Sequence, residues 1–198
     1  MNSEIKKQRA YTLIEVLISI AIFFIVVAGP TGLFIFSLKN QNRILGTREI
    51  VDNASHVFEY MSRALRMARK ELNCTGRINP ETCACLKNSG YGFNYEITHN
   101  GKGIKFKTSQ QPSVCQEFFW DITDNRLKES KNGLDSIALT SDDLEVVSFK
   151  FKESGFTQDD NDQPRVVFFL EITKKSEVIS PKIKIQTIIS QRNLDVRY

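Results

Sequence analysis

The sequence predicts an α+β protein in which one long N-terminal helix packs on an antiparallel β-sheet. Over residues 11–72 the apolar residues first run without interruption and then recur every three or four positions, a pattern typical of a helix. Beyond Leu72 they alternate with polar residues, as in strands. The chain has 198 residues, of which 41% are apolar and 25% charged, and these values exclude a polytopic membrane protein and a wholly disordered chain.

The first part of the helix has the length and composition of a membrane span. Residues 1–10 are polar and basic, whereas residues 11–38 carry a single charge, Glu15. The uncharged residues 16–38 would form a helix about 35 Å long, enough to cross a hydrocarbon layer of about 30 Å. A buried helix of a soluble domain seldom runs this far without a polar stripe.

Three interpretations fit this stretch: a signal anchor, a signal peptide cut after Ala28 with Val26 at the −3 position, or a membrane helix that loses only its polar leader. Glu15 favours the third, because a carboxylate interrupts the apolar core of an ordinary signal peptide. Well inside a bilayer a carboxylate costs about 2.5–3.5 kcal/mol and usually marks function. The alternative is a carboxylate near the helix end that merely reaches the interface.

Residues 10–22 read Ala-Tyr-Thr-Leu-Ile-Glu-Val-Leu-Ile-Ser-Ile-Ala-Ile. This segment resembles the type III signal sequence of type IV pilins and pseudopilins. In that family a membrane-embedded prepilin peptidase cuts after a short basic leader and methylates the new terminal amine, and the fifth mature residue is a glutamate. The resemblance implies cleavage between Ala10 and Tyr11, N-methylation of Tyr11, and Glu15 as that glutamate. The chain differs from the commoner pattern at Ala10, where Gly prevails, and at Tyr11, where Phe is usual.

The physical chemistry of this segment agrees with what the resemblance implies. Cleavage would place the positive amine of Tyr11 at the edge of an apolar helix. Two opposite charges about 4 Å apart attract by about 4 kcal/mol at an effective dielectric constant near 20. In the family the glutamate is thought to meet the terminal amine of a neighbouring subunit. We therefore expect Glu15 to be an assembly residue with Tyr11 as its partner, since each charge alone disfavours burial.

Pro30 lies between Gly29 and the pair Thr31-Gly32. Proline costs about 3 kcal/mol inside a helix, and the glycines weaken the helix further. The sequence predicts a kink or local melting at residues 29–32, a feature that many family members share. A tolerated transmembrane kink with no role is the alternative.

The rear part of the helix is predicted to be amphipathic. Its apolar stripe has spacings of three and four and consists of Val51, Ala54, Phe58, Met61, Leu65, Ala68 and Leu72. We expect this stripe to pack on the protein's own sheet rather than on a coiled-coil partner. Three basic residues flank each end of the membrane stretch, so the orientation rests on the resemblance and on the cysteines.

The strands are predicted from alternation and the turns from their residue types. Inward positions are expected at Ile104 and Phe106; at Val147, Phe149 and Phe151; and at Ile183, Ile185, Thr187 and Ile189. Residues 117–122 and 166–172 also have strand composition. The pairs Asn100-Gly101, Asp124-Asn125 and Asn132-Gly133 suit tight hairpins. Residues 158–164 form a polar loop.

Four cysteines, Cys74, Cys83, Cys85 and Cys115, indicate two disulfides and an oxidising compartment. Cys83 and Cys85 are poor partners for each other, so Cys74 is expected to bind one of them and Cys115 the other. The sequence leaves both pairings open. Free thiols are an alternative, whereas the spacing fits no common zinc pattern.

Other chemistry finds little support. The two histidines, His56 and His99, exclude multi-histidine metal sites, and Asp159, Asp160 and Asp162 lack the glycine turn and bidentate glutamate of a calcium loop. We expect no cofactor, no catalytic or metal-ligating residue and no enzymatic activity. The 27 basic and 23 acidic residues are spread without blocks, and Arg63, Arg66 and Arg69 fit a solvent-exposed helix face, so a nucleic-acid partner is not expected.

The resemblance implies a minor pilin or minor type II secretion pseudopilin, processed by prepilin peptidase and assembled with other pilin subunits. Residues 1–10 would be the leader, 11–38 the membrane and filament-core helix, 39–72 its amphipathic continuation and 73–198 a sheet domain outside the cytoplasm. The protein would sit in the inner-membrane lipid with a cytoplasmic leader. Residues 190–193 faintly resemble the end of J-type pseudopilins. The alternative is an exported enzyme or binding domain that uses residues 11–38 only for export.

Overall fold

The computed structural model describes residues 11–72, 74, 83–109, 112–155, 162–175 and 181–192. The chain divides into two compact units, residues 1–45 and residues 46–198. Within the described residues one helix, α1 (Leu13–Arg66), is followed by antiparallel strands, so the predicted α+β class is confirmed. The strands are β1 (Ala68–Arg69), β2 (Tyr95–Thr98), β3 (Gly103–Thr108), β4 (Cys115–Asp121), β5 (Arg126–Lys131), β6 (Ile137–Ala138), β7 (Leu144–Ser154), β8 (Arg165–Lys174) and β9 (Lys182–Ser190).

Helix α1 ends at Arg66, six residues before the predicted end at Leu72. The chain turns where Met67 N–H donates to the Ala64 carbonyl, three residues back, and Ala68 then pairs with Thr108 of β3. The backbone N–H of Glu71 donates to Phe93 O at 2.8 Å. These backbone groups thus find partners in the sheet and its connections instead of continuing the helix.

The buried face of the helix differs in part from the predicted stripe. Ala54, Met61 and Leu65 are buried as expected, and Phe58 is half-buried against the core. Ile50 takes the place predicted for Val51, and Val57 is buried beside Phe58. Val51 is 42% exposed, and Leu72 lies outside the helix with 46% exposure. The reason is geometric, because a strict three-four repeat drifts around a straight helix of 3.6 residues per turn. The buried row begins at Gly46, and its average spacing is slightly longer than that of the predicted stripe.

The strands form two antiparallel sheets rather than the one sheet predicted. The N-terminal sheet has the order β1-β3-β4-β5-β6, and β2 shares the edge of β3 with β1. The C-terminal sheet has the order β7-β8-β9. The predicted inward positions of β3 and the alternation of β9 are confirmed, with Ile104, Phe106 and Ile189 buried.

Strand β7 corrects one predicted position. Val147 was expected to point inward but is exposed, and Val146 is buried in its place. The register with β8 shifts between Val146 and Ser148, so Val147 is the extra residue of a β-bulge. The bulge places Val146 and Phe149 on the same face of the sheet.

Asparagine makes the three predicted tight turns possible. Asn100, Asn125 and Asn132 each have a φ of 54° and lie between the antiparallel pairs β2–β3, β4–β5 and β5–β6. Asparagine tolerates this left-handed conformation better than other residues with a side chain. The three turn predictions are therefore confirmed.

The core of the second unit lies between the last turns of α1 and the inner faces of both sheets. Phe58 stacks on Phe168 of β8 with 4.7 Å between ring centroids, and Tyr60 meets the Phe118 ring of β4 edge-on at 5.9 Å. The Tyr95 hydroxyl donates to Leu65 O at 2.7 Å, and burial raises the pKa of this phenol. The helix is thus fixed to both sheets by aromatic contacts.

The four cysteines form two disulfides, Cys74–Cys83 and Cys85–Cys115. The prediction of two bridges is confirmed, and the structure selects one of the two pairings left open. Cys115 lies on β4 opposite Lys107 of β3, and Cys85 Sγ lies 3.5 Å from the carbonyl oxygen of the adjacent Phe106. The Cys74–Cys83 bridge joins two residues within the segment between α1 and β2, and the Cys85–Cys115 bridge ties that segment to β4 of the N-terminal sheet.

Candidate processing and assembly site

The N-terminus of α1 is capped by its own sequence. Thr12 immediately precedes the helix, and Glu15 N–H donates to the Thr12 carbonyl at 3.1 Å and to Thr12 Oγ1 at 3.4 Å. Thr-x-x-Glu at this position is the spacing of a capping box. Only the Thr12 half of the box is formed, because the Thr12 hydroxyl accepts from Glu15 N–H. This local role of Thr12 was not predicted, although the spacing is visible in the sequence.

The Glu15 carboxylate itself is exposed, and in the described part of the chain it makes no hydrogen bond or ion pair. Its backbone carbonyl accepts a hydrogen bond from the Ser19 hydroxyl at 2.8 Å. Tyr11 lies just outside the helix and is 79% exposed. Ala10, the other residue of the predicted cleavage site, lies outside the described residues. The carboxylate is therefore available to a cation supplied by another molecule.

The surface around Glu15 is apolar and entirely uncovered. Every residue from 11 to 38 is exposed, including large side chains such as Ile18, Phe23 and Phe24. The most apolar 18-residue window of α1 has a mean hydropathy of 2.5 and no buried residue, and the helix is long enough to cross a membrane. Leaving a large apolar side chain in water forgoes about 1.5–3 kcal/mol, so lipid or other helices must cover this surface.

The helix continues through Pro30. Residues 29–32 are helical, so the local melting predicted there is absent from these described residues, while the kink stays a prediction. Proline has no N–H to donate to the Val26 carbonyl four residues back. The Thr31 hydroxyl donates to the neighbouring carbonyl, Val27 O, at 2.7 Å. A side chain added at Gly29 or Gly32 would meet no atom within 4 Å, so neither glycine is required by packing within the chain.

The remaining candidate residues have structural surroundings. His99 Nε2 lies 3.3 Å from Glu117 Oε1, and its ring stacks on Phe119 with 4.6 Å between centroids. Asp162 is exposed, whereas Asp159 and Asp160 lie outside the described residues. Among the residues that the structure describes, no group of three or more His, Cys, Asp or Glu side chains is placed to hold a metal ion.

Glu71 and Glu129 are buried carboxylates that were not predicted from the sequence. Glu71 accepts hydrogen bonds from Cys85 N–H at 2.8 Å and from Lys107 Nζ at 3.0 Å. Glu129 accepts a hydrogen bond from the Tyr60 hydroxyl at 2.7 Å, and burial together with this carboxylate raises the pKa of Tyr60. No periodic pattern marks either residue, because the partners come from distant parts of the chain.

A comparison with protein families bears on the first part of the chain. Residues 5–29 match the model of the prokaryotic N-terminal methylation motif. The chain matches no curated protein and no solved structure. The matched residues include the predicted cleavage position, Glu15 and the first half of the exposed apolar helix.

An exposed apolar helix whose first part lies within a methylation motif, followed by antiparallel sheets, indicates a membrane-anchored protein that is processed at the N-terminus. Within that class the motif is the prepilin signature of type IV pilins and pseudopilins. The N-terminal segment of the chain carries this signature, and the order of one long helix followed by antiparallel sheets is a pilin-like arrangement. The motif indicates a processed, membrane-anchored structural subunit that assembles with other pilin subunits.

Proposed function

We propose that this protein is a non-enzymatic minor subunit of a type IV pilus-like filament, either a pilus or a type II secretion pseudopilus. Prepilin peptidase cuts between Ala10 and Tyr11 and methylates the Tyr11 amine. Residues 11–38 then hold the protein in the inner membrane and enter the filament core. One observation carries the proposal: a fully exposed apolar helix with a lone carboxylate near its start, inside the methylation motif.

The carboxylate supplies the assembly contact. In a bundle of such helices the Glu15 carboxylate of one subunit meets the terminal amine of Tyr11 in its neighbour, and this pairing sets the axial register. At about 4 Å the attraction is about 4 kcal/mol at an effective dielectric constant near 20. Either charge alone would oppose burial among apolar helices.

The sheet domain lies on the far side of the membrane. Its two disulfides support this topology, because such bonds persist in oxidising compartments outside the cytoplasm. The size of the domain and its charged strand faces favour a minor over a major subunit. Residues 190–193, where β9 ends, favour a J-type pseudopilin, and Asn193 lies outside the described residues.

Glu15 allows a test that separates assembly from helix capping. Glutamine keeps the length and polarity of the side chain and the capping-box spacing but carries no charge, whereas alanine removes the polar group altogether. We expect Glu15→Gln and Glu15→Ala to insert in the membrane normally and to be depleted from purified filaments to a similar extent. The measurement is the ratio of filament-bound to membrane-bound protein by immunoblotting.

Thr12→Ala serves as the matched control. It removes the capping hydroxyl and leaves the charge, so we expect it to enter filaments nearly as well as the unaltered protein. If Glu15→Gln assembled normally while Thr12→Ala did not, capping rather than ion pairing would be the role of this segment. Normal assembly of both Glu15 variants would show that the pairing of Glu15 with Tyr11 is not needed. Absence of the unaltered protein from filaments would favour an exported enzyme or binding domain that uses the helix only for export.

A further inference from the structure

Strand β9 forms an open edge of the C-terminal sheet. It pairs with β8 on one side, and in the described part of the chain none of its backbone groups is hydrogen-bonded on the other side. Every second residue of an antiparallel edge strand directs its N–H and C=O away from the neighbouring strand. The nine residues of β9 therefore present a row of unpaired donors and acceptors about 30 Å long.

The other strand edges that the structure describes are short or interrupted. Strands β1 and β6 have two residues each, and β2 has four. Strand β7 carries the bulge at Val147, and its Val146 N–H donates to Asn125 O at 2.8 Å. Short strands, bulges and covering loops are common ways of protecting an edge from a foreign strand. Strand β9 has none of them, because it is long and its register with β8 is continuous.

The side chains of β9 divide this edge into a charged and an uncharged part. Lys182 and Lys184 lie at its start, whereas residues 185–190 read Ile-Gln-Thr-Ile-Ile-Ser and carry no charge. Ile188, within the uncharged part, is 59% exposed. A six-residue segment that is rich in β-branched side chains and free of charge and proline pairs readily with another strand.

Cations also lie at the far end of the edge. An open depression where β9 meets the end of α1 is lined by Arg63, Arg66, Met67, Ile188, Ser190 and Arg192. Arg63 is paired with Glu59 of its own helix, but Arg66, Arg192 and Lys182 have no ion-pair partner among the described residues. Lys184 has an exposed contact with Glu171 at 3.6 Å. The edge thus has an uncharged middle and positive charge at both ends.

These features together select one kind of partner. Another extended polypeptide satisfies the unpaired backbone groups along their whole length, as in β-augmentation. A second copy of β9 is disfavoured, because a parallel pair would set Lys182 and Lys184 beside the same residues of the copy, and an antiparallel pair would bring them near its Arg192. A strand with carboxylates at both ends and apolar side chains between them complements the whole edge.

We propose that the free edge of β9 binds an extended acidic segment of another protein, which adds to the C-terminal sheet as a further strand. The carboxylates of the segment lie beside Lys182 and Lys184 at one end and near Arg66 and Arg192 at the other. Its β-branched residues lie beside the uncharged part of β9. This inference goes beyond the filament role and does not depend on it.

The test uses the full chain in an uncharged detergent and fluorescein-labelled peptides of about ten residues, with binding measured by anisotropy. The probe peptide alternates valine and threonine and has a pair of glutamates at each end. A peptide with glutamines in place of the glutamates should bind about tenfold more weakly. The double variant Lys182→Gln/Lys184→Gln should weaken binding of the acidic peptide about fivefold, because two exposed ion pairs are lost.

The matched control is Lys150→Gln/Lys152→Gln, which removes the same charge from β7 at the opposite edge of the same sheet and should leave binding unchanged. Methylation of alternate backbone amides of the peptide tests the contact with the strand edge. One alternating set should abolish binding and the other should have little effect, since only one edge of the peptide faces β9.

Equal effects of the two methylated sets, or of the two double variants, would overturn the proposal, because binding would then not follow the edge of β9. The absence of binding by the acidic peptide would overturn it as well. Sedimentation of the full chain forms a further arm. A dimer that Ile188→Lys dissociates would assign the edge to a second copy of the chain and contradict the acidic partner.

Discussion

A carboxylate with no exposed surface joins the end of the helix to the disulfide-bonded segment. Glu71 accepts hydrogen bonds from Cys85 N–H and from Lys107, and its own backbone groups pair with Phe93 and Gly92. A buried carboxylate is tolerated only when it is both paired and hydrogen-bonded. Glu71 therefore fixes the chain as it leaves α1 and enters the sheet.

Glu71→Gln should lower the free energy of unfolding by about 3 kcal/mol, because it leaves the ammonium of Lys107 largely buried without its counter-charge. Unfolding in urea, followed by the fluorescence of the single tryptophan, Trp120, measures the change. The matched control is Glu171→Gln, which breaks an exposed ion pair with Lys184 and should cost less than about 1 kcal/mol. Equal losses would show that the burial of Glu71 has no energetic consequence.

Asp121 gives a prediction about acid stability. Hydrogen bonds from Lys128 and Thr123 hold the pKa of this carboxyl well below its usual range. Because the folded-state pKa is depressed, its stabilising effect is complete above the usual pKa of aspartate, near 3.9, and disappears as the pH falls below that value. Asp121→Asn should lower the free energy of unfolding at pH 7 by less than about 1 kcal/mol. The melting temperature should fall slightly as a result.

Melting curves over a pH series check this expectation. The difference between Asp121→Asn and the unaltered protein should shrink steadily as the solution is acidified below about pH 4. A difference that stayed constant over the series would mean that ionisation of Asp121 contributes nothing, and that the substitution acts through the turn that Thr123 forms with this side chain.

At the scale of single elements, the rear part of the helix shows which features the spacing of apolar residues can predict. The three-four spacing predicted an amphipathic helix, and the structure contains one. The same spacing placed the buried row at Val51, whereas the buried residue is Ile50. Neighbouring apolar residues made both rows possible, and only contact with the two sheets decides between them.

This choice of face is testable with a matched pair. Ile50→Ala should lower the free energy of unfolding by about 2–5 kcal/mol, because it removes a fully buried side chain. Val51→Ala, one position along, should change it by about 0.5 kcal/mol or less. Urea unfolding of both variants provides the comparison. Similar losses, or a larger loss for Val51→Ala, would mean that the helix packs with a different face.

For the strands and cysteines, too, the local sequence predicts some features but not those that depend on tertiary contacts. Local signals found the hairpin turns at Asn100, Asn125 and Asn132, because a left-handed turn needs particular residues. They did not reveal the bulge at Val147 or the choice between the two cysteine pairings. Both depend on the register between strands, which brings Cys115 opposite Lys107 and beside Cys85.

At the scale of the whole molecule, sequence and structure contribute different parts of the account. The methylation motif, the exposed apolar helix and Glu15 lie within one continuous segment, so the sequence suffices to predict them. The buried pair of Glu71 and Lys107 is assembled from residues far apart in the chain, so only the fold reveals it. The segment explains how the protein is anchored, and the second unit carries the surfaces that remain for partners.

The central claim is that the chain is cut after Ala10 and that Tyr11 becomes a methylated N-terminus. Mass spectrometry of the N-terminal peptide from protein purified out of membranes tests this claim most directly, with cells lacking prepilin peptidase as the control. We predict a peptide that begins at Tyr11 and carries one methyl group on its α-amine, and an uncut chain in the control cells. A mature protein that begins at Gly29, or one that keeps residues 1–10 when the peptidase is present, would contradict the account.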